Sequence, residues 1–481
     1  MNQQDALERL VVVSNRLPVV LSRKEGRLAI KKGTGGLITA LAPIMRERGG
    51  VWVGWPGATG LTDEEINELA ARFREESGFN LFPVLLSREE VSLYYEGFSN
   101  EVIWPLFHDL HFKCHFKPVY WEAYQRVNRR FSEQIVKTIQ PQDFLWVHDY
   151  HFLLLAQELR KQGINQKLVF FLHIPFAPPD IFMKIPWRQE ILSAVLEYDY
   201  LGFQTERDKL NFLNCVETLL PNVSIKSYGD YHICHTDHRD VHVGAYPISI
   251  DFHEFSDESA SKEVAKAALQ IHMLEDDRKL VFSVDRLDYT KGIIYRLEAI
   301  REFLKKYPEH HEKVIFHQVV VPSRSQISEY SDLKSEIDAL VGEINSAYTM
   351  PGWVPIHYSY RSLSREELVA FYRSADVMLI TPVKDGMNLV AKEFVAACIE
   401  ENGVLVLSEF AGAAAQLGSQ ALLINPYHTV GVAEAVHRAL MMPKEEKQQR
   451  MKILRELVHK EDIFAWIDSI ISVAHQNKIV T

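Results

Sequence analysis

Seven short apolar runs with almost no polar alternation punctuate the chain, at residues 10–13, 144–147, 168–172, 280–284, 314–316, 377–380 and 404–407, separated by longer stretches of helical period. A strand covered by helices on both faces has no polar face, so these runs predict buried strands of parallel sheets and an α/β protein. Several run directly into polar or glycine-containing segments: Ser14-Asn15-Arg16, His148-Asp149-Tyr150-His151, His173-Ile174-Pro175, Asp285-Arg286-Leu287-Asp288 and Lys384-Asp385-Gly386. Open parallel sheets bind ligands beyond the carboxyl ends of their strands, which makes these segments the first places to look for chemistry. A strand-like run meets Pro247 near residues 246–251 and a new βα series starts at Leu280, so a domain boundary is expected at 247/248. Two α/β halves predict a ligand cleft between them.

The length of 481 residues suits two large domains. With 47% hydrophobic and 24% charged residues, disordered and collagen-like chains are excluded. A net charge of −11 argues against nucleic acid as a partner, although a few clustered cations can still hold a small phosphorylated substrate. Cys114, Cys215, Cys234 and Cys398 form no C-x-x-C pair, which suits a reducing compartment. No stretch of about 18 apolar residues and no secretory leader is present, so a cytoplasmic protein without membrane contact is expected.

The segment from Thr381 to Phe394 reads as strand, loop and helix start. Free amides there suit a phosphate, Asp385 suits sugar hydroxyls and Glu393 suits ribose hydroxyls; an ordinary βα turn is the alternative. Arg286 and Lys291, just after a strand, suit a diphosphate and would neutralise charge growing on a departing phosphate, unless Arg286 pairs locally with Asp288. Arg16 with the Gly33-Thr34-Gly35-Gly36 loop offers a second anion site. The aromatic stretch Tyr94 to Pro105 reads as irregular, either a wall for a sugar ring or core. Asp149 and His173 lie just beyond strands, as site groups or as satisfied structural polar residues. His232, Cys234, His235, Asp237, His238 and His242 match no common zinc spacing and read as a solvated hairpin, so neither metal nor cofactor is expected. A Ser-His-Asp order, a P-loop and G-x-G-x-x-G are all missing, which weakens hydrolase, kinase and dehydrogenase readings.

From about Arg9 to about Ile470 the chain resembles the trehalose-6-phosphate synthase family of retaining glycosyltransferases, family 20. The resemblance rests on SNR at Ser14 to Arg16, FSN and WP between Phe98 and Pro105, HDYH at His148 to His151, HIPF at His173 to Phe176, RLDYTKG at Arg286 to Gly292 and DGMNLVAKE at Asp385 to Glu393. It implies a GT-B fold, two Rossmann-like domains facing across a cleft: 1–247 for the acceptor, 248–459 for the nucleotide sugar, and 460–481 as a helix crossing back. It implies that Arg286, Lys291 and the amides around Leu389 and Val390 hold the donor diphosphate and Glu393 the ribose. Asp385, Gly386, Met387 and Asn388 would hold the transferred glucose, with Gly35 and Gly36 closing over the donor. Arg16, Tyr95, Trp104 and Arg324 would hold the acceptor 6-phosphate, and Asp149 and His173 would touch hydroxyls near the reacting carbon.

The family's mechanism is a front-face displacement without an enzymic nucleophile, in keeping with the lack of a glycosidase-like carboxylate pair in the sequence. Lys384 stands where relatives commonly carry Arg, Asp285 where they often carry Glu, and Ala177-Pro178-Pro179 varies the loop after HIPF. The expected activity is glucose transfer from a nucleoside diphosphate glucose, UDP-glucose first among them, to glucose 6-phosphate. Glucosylglycerol-phosphate synthase is the alternative, against which Arg324 argues. A non-catalytic sugar-phosphate sensor is disfavoured because Arg286, Lys291, Asp385 and Glu393 are all present. Nucleotide sugar and sugar phosphate are the expected partners, and a homo-oligomer is allowed.

Overall fold

The computed structural model describes residues 9–24, 27–32, 41–42, 44–46, 49–274, 278–323 and 328–476. The chain divides into two units, Met1–Pro247 with Ile467–Thr481, and Ile248–Trp466. The last helix, Ile463–Gln476, therefore begins in the second unit and ends in the first.

In the first unit the strands are β1 (Leu10–Arg16), β2 (Val19–Lys24), β3 (Arg27–Lys32), β4 (Val51–Trp55), β5 (Asn80–Pro83), β6 (Phe144–His148), β7 (Leu168–Phe171), β8 (Tyr200–Phe203), β9 (Ser224–Tyr228), β10 (Tyr231–His235) and β11 (Asp240–Ala245). The main sheet runs β5-β4-β1-β6-β7-β8-β11-β10-β9, and β2 pairs with β3 in a separate hairpin. Pairing is parallel from β5 to β11 and antiparallel at the β11-β10-β9 edge. The second unit contains β12 (Lys279–Arg286), β13 (Val314–Val321), β14 (Ile356–Tyr360), β15 (Val377–Ile380), β16 (Val404–Ser408) and β17 (Leu422–Ile424), all parallel in the order β14-β13-β12-β15-β16-β17. Counted along each main sheet with the β2–β3 hairpin set aside, the first six strands of both follow the Rossmann order 3-2-1-4-5-6, to which the first unit adds the β11-β10-β9 edge, a repeat that no sequence repeat announces.

All seven apolar runs are strands, namely β1, β6, β7, β12, β13, β15 and β16. The reason is burial on both faces: every residue of β6, β7, β15 and β16 is buried. The helix Phe252–Ser259 opens with Asp251 accepting from the Glu254 amide at 3.1 Å. No described helix is long and apolar enough to cross a membrane. All four cysteines are free thiols.

The histidine-rich stretch forms the β10–β11 hairpin, in which Ile233 faces His242 and His235 faces Asp240. Among the described residues no three of its ligand-type side chains come close enough to share an ion. His242 is 5% exposed, stacked on Tyr231 at 4.3 Å and bonded through Nε2 to the Tyr246 hydroxyl at 3.2 Å. Burial, with Lys209 nearby, lowers its pKa from 6.5 to about 4. Between those values the unfolded chain binds a proton that the folded chain does not, so stability rises with pH through this window and is lost on acidification, by up to about 3 kcal/mol. His242→Phe should therefore flatten the fall in melting temperature between pH 6.5 and pH 4; an unchanged slope would assign the acid sensitivity elsewhere.

Candidate active site

A 3-2-1-4-5-6 sheet leaves a crevice where its first and fourth strands diverge. In the first unit these are β1 and β6, ending at Arg16 and His148. Ser14 Oγ accepts from Trp52 Nε1 at 2.7 Å and donates to the Arg16 carbonyl at 2.6 Å, while Asn15 Oδ1 accepts from the Tyr94 hydroxyl at 3.1 Å. Those two side chains are thus spent on scaffolding, and Arg16 alone turns outward. Its guanidinium lies 4.1 Å from the Trp55 ring centroid and 5.6 Å from that of Tyr95. It makes no ion pair or hydrogen bond among the described residues. Gly57 sits at φ +86°, where a side chain is strained, and a Cβ there would push aside the Arg16 guanidinium, whose Nη1 lies 2.0 Å from that position. A cation fixed by aromatic faces and not neutralised by a carboxylate is prepared for an anion.

The aromatic stretch expected to be irregular is instead helical: residues Val91–Ile103 wind as a π-helix that passes into the helix Trp104–Phe107, with the Trp104 amide bonding the Ser99 carbonyl. This winding has a consequence for the site. At roughly 4.4 residues per turn, as i→i+5 bonding requires, Tyr95 and Trp104 share a face, whereas 3.6 residues per turn would set them opposite. An unbroken run of ring contacts joins them, Tyr95 to His151 at 5.9 Å, His151 to Tyr150 at 4.1 Å and Tyr150 to Trp104 at 5.8 Å. Phe98 and Asn100 of the FSN motif serve this scaffold, packing on Tyr124 at 4.5 Å and accepting from the Tyr150 hydroxyl at 3.3 Å. Arg324, Gly35 and Gly36 lie outside the described residues.

Asp149 follows β6 with φ 78° and ψ 167°, a conformation costly for a residue with a side chain. Its amide donates to the Phe171 carbonyl at 2.8 Å, its carbonyl accepts from the Phe152 amide at 3.2 Å and its Oδ1 accepts from the His173 amide at 3.3 Å. His173 Nε2 lies 3.1 Å from His148 Nδ1. Burial pushes the His173 pKa down to about 3, and burial followed by His173 holds His148 well below its ordinary value, so both rings are neutral near pH 7.

In the second unit the diverging strands are β12, which ends at Arg286, and β15, which leads into the loop carrying Asp385. Local pairing of Arg286 with Asp288 is not what forms. Asp288 accepts instead from the Thr290 amide at 3.0 Å, the Thr290 hydroxyl at 2.9 Å and the Tyr330 hydroxyl at 3.2 Å. The exposed Arg286 side chain has no hydrogen bond or ion pair among the described residues. The expected pair of open cations is only half realised, because Lys291 Nζ is 2.5 Å from Asp385 Oδ2, which also accepts from Asn388 Nδ2 at 3.1 Å. Lys291 and Asp385 are 13% and 16% exposed, and at that burial opposite charges neutralise each other.

Asn388, at φ 74°, caps the helix Leu389–Ala397 by accepting from the Ala391 amide at 3.3 Å, and the Leu389 and Val390 amides have no acceptor among the described residues. That is the free helix start expected of a phosphate site. Met387 is 3% exposed, and its carbonyl accepts from the Ala413 amide at 2.8 Å. Glu393 accepts from the Tyr372 hydroxyl at 2.8 Å through Oε2, and burial raises its pKa.

Sequence reasoning missed what lies behind this loop. The segment from Phe410 to Ala413 clamps it through Asp385 N to Phe410 O at 3.2 Å, Gly412 N to Asp385 O at 3.1 Å and Ala413 N to Met387 O at 2.8 Å. A Cβ on Gly412 would lie 1.8 Å from the Gly386 carbonyl, so the close approach needs glycine. Lys392, 1% exposed, donates to the Ile248 carbonyl at 2.8 Å, and burial lowers its pKa to about 7. Arg296, fully buried, pairs with Asp285 at 2.7 Å. Of these, Asp285 and Lys392 lie in segments the sequence marks, whereas Arg296 and the Phe410 to Ala413 clamp belong to none of the motifs.

The family model for glycosyltransferase family 20 matches residues 8–476. The chain belongs to glycosyltransferase family 20. Its family 20 relatives include the trehalose-6-phosphate synthase of Mycobacterium sp. strain KMS, 41% identical over 465 residues, which are 95% of this chain and 93% of that one. Among solved structures, the E. coli protein described as bound with UDP-2-fluoro glucose superposes with a TM-score of 0.87 at 36% identity, covering 98% of this chain and 100% of that one. An α,α-trehalose-phosphate synthase (UDP-forming) from Burkholderia xenovorans in complex with glucose-6-phosphate gives 0.87 at 33% identity, covering 96% and 99%. The fold is GT-B, and the chain is a retaining hexosyltransferase.

Proposed function

We propose that this family 20 enzyme makes α,α-trehalose 6-phosphate by transferring glucose, with retention, from UDP-glucose to glucose 6-phosphate. The observation that carries the reading is an arginine at the divergence point of each sheet, Arg16 in one unit and Arg286 in the other, with no hydrogen bond or ion pair among the described residues. Arg286 and the Leu389 and Val390 amides take the donor diphosphate, Glu393 the ribose, and Asp385, Gly386, Asn388 and the Met387 backbone the transferred glucose. Lys291 and Asp385 hold each other until the donor arrives; the carboxylate then accepts from glucose hydroxyls and the ammonium turns to phosphate. Arg16, Tyr95, Trp104 and Arg324 take the acceptor 6-phosphate, and Asp149 and His173 hold hydroxyls near the reacting carbon.

The bond from the glucose anomeric carbon to the diphosphate oxygen breaks as the acceptor anomeric hydroxyl enters on the same face. The hydroxyl proton passes to the departing phosphate oxygen, so no side-chain base is consumed. Catalysis then rests on positioning and on cationic stabilisation of the leaving group. Nothing among the described site residues or the relatives named above favours glycerol 3-phosphate as acceptor. The four free thiols suit a cytoplasmic setting. An acceptor panel of glucose 6-phosphate, glycerol 3-phosphate and glucose, with products identified by NMR, tests the reading. UDP release and an α,α-1,1 linkage are expected with glucose 6-phosphate; faster turnover of glycerol 3-phosphate would reject it.

A further inference from the structure

We infer that His148 is a positioning residue that donates from Nδ1 to His173 Nε2 and so fixes His173 in the tautomer bearing its proton on Nδ1. Two neutral imidazoles 3.1 Å apart need one donor and one acceptor. The environment of His148 decides which is which. Its other nitrogen, Nε2, is buried with no partner among the described residues. If His148 accepted at Nδ1, its proton would sit on Nε2 as an orphaned buried N–H. If it donates at Nδ1, Nε2 is an unshared lone pair, the less costly of the two.

Neither ring is free to turn over. His148 is 1% exposed, packed on Trp146 at 4.9 Å, and His173 packs edge-on against Phe171 at 4.8 Å. Parallel pairing of β6 and β7 sets His148 beside Phe171, which fixes the spacing of the two segments that follow. The chemistry follows from the tautomer. Resting on the reading that His173 meets a sugar hydroxyl, its Nδ1–H donates to that hydroxyl's oxygen and offers no lone pair there, so His173 orients the sugar and removes no proton. That suits a reaction whose proton goes to the leaving phosphate, and it assigns to the first histidine of the HDYH motif a role its burial alone does not suggest.

The test uses the full-length enzyme with His148→Asn, His148→Gln, His148→Phe and His173→Ala. The Asn amide occupies the place of Nδ1, while Gln carries its amide one bond further out. His148→Phe should lower kcat about 10- to 100-fold, the range seen when an outer partner that orients an imidazole is lost. His148→Asn should restore kcat to within about threefold and His148→Gln should not, a contrast that holds whether or not the Phe variant folds. The 15N spectrum of histidine-labelled enzyme should show His173 protonated on Nδ1 in the parent and in His148→Asn, and a tautomer mixture in His148→Gln. Equal rates for the Asn and Gln variants, or a His173 proton on Nε2 in the parent, would overturn the inference. Full activity of His173→Ala would overturn instead the reading of His173 at the sugar, which the spectrum does not depend on.

Discussion

Arg286→Ala lowers kcat about 100-fold or more at saturating UDP-glucose and glucose 6-phosphate, the scale of losing one preorganised group that stabilises transition-state charge. The expectation comes from the inequality of the two cations in the RLDYTKG motif. Lys291 is already neutralised by Asp385 at 2.5 Å, whereas the exposed Arg286 side chain at the end of β12 has no counter-charge among the described residues. On the proposed reading, negative charge that develops on the β-phosphate as the glucose departs would fall first to Arg286. Arg286→Lys should recover part of the loss, because the charge returns but the planar fork does not. Steady-state kinetics decide the matter, and a near-parental kcat for the alanine variant would remove Arg286 from the leaving-group role.

Arg296→Met should cost about 3–5 kcal/mol of stability, the usual penalty for stripping one partner from a buried ion pair. Arg296 is fully buried under the motif loop, where its Nη1 meets Asp285 at 2.7 Å, and its Nε and Nη2 have no partner among the described residues. Burial already raises the Asp285 pKa, with Arg296 as the leading opposing influence. Without Arg296 that carboxyl must be buried charged or take up a proton. A folded-state carboxyl pKa above the unfolded value makes stability fall as pH rises, so the variant should be weakest near neutrality and should recover on mild acidification, before general acid unfolding. Adding Asp285→Asn should return at least half of the loss. Urea unfolding at pH 5.5 and pH 8 measures both effects, and a loss under about 1 kcal/mol in the single variant would show that the pair is not a foundation of the loop.

Strands whose two faces are both buried are legible because their apolar runs need no knowledge of neighbours, as at residues 144–147 and 377–380. Val51–Trp55 and Tyr200–Phe203 are just as buried, but Gly54 and Gly202 interrupt the pattern and no run stands out. The motif residues at strand ends were legible as candidates, because strand order brings Arg16 and Asp149, and likewise Arg286 and Asp385, to the two divergence points. Their partners were not. Trp55 and Gly57 frame Arg16, Gly412 seats Gly386, and Tyr372 engages Glu393 through contacts made only by the folded chain. The π-winding of Val91–Ile103 was hidden for a different reason: aromatic, glycine and polar residues at that spacing fit no 3.6-residue stripe and so read as irregular.

The division of labour between the two arginines is tested most directly by calorimetric titration of UDP, and of glucose 6-phosphate in the presence of UDP, into the Arg16→Ala and Arg286→Ala enzymes. Loss of one charge-assisted contact, about 1.5–3 kcal/mol, corresponds to roughly 10- to 150-fold in affinity. UDP should weaken by that amount only in Arg286→Ala and glucose 6-phosphate only in Arg16→Ala. Weakening of both ligands by either substitution, or the reverse pattern, would contradict the account.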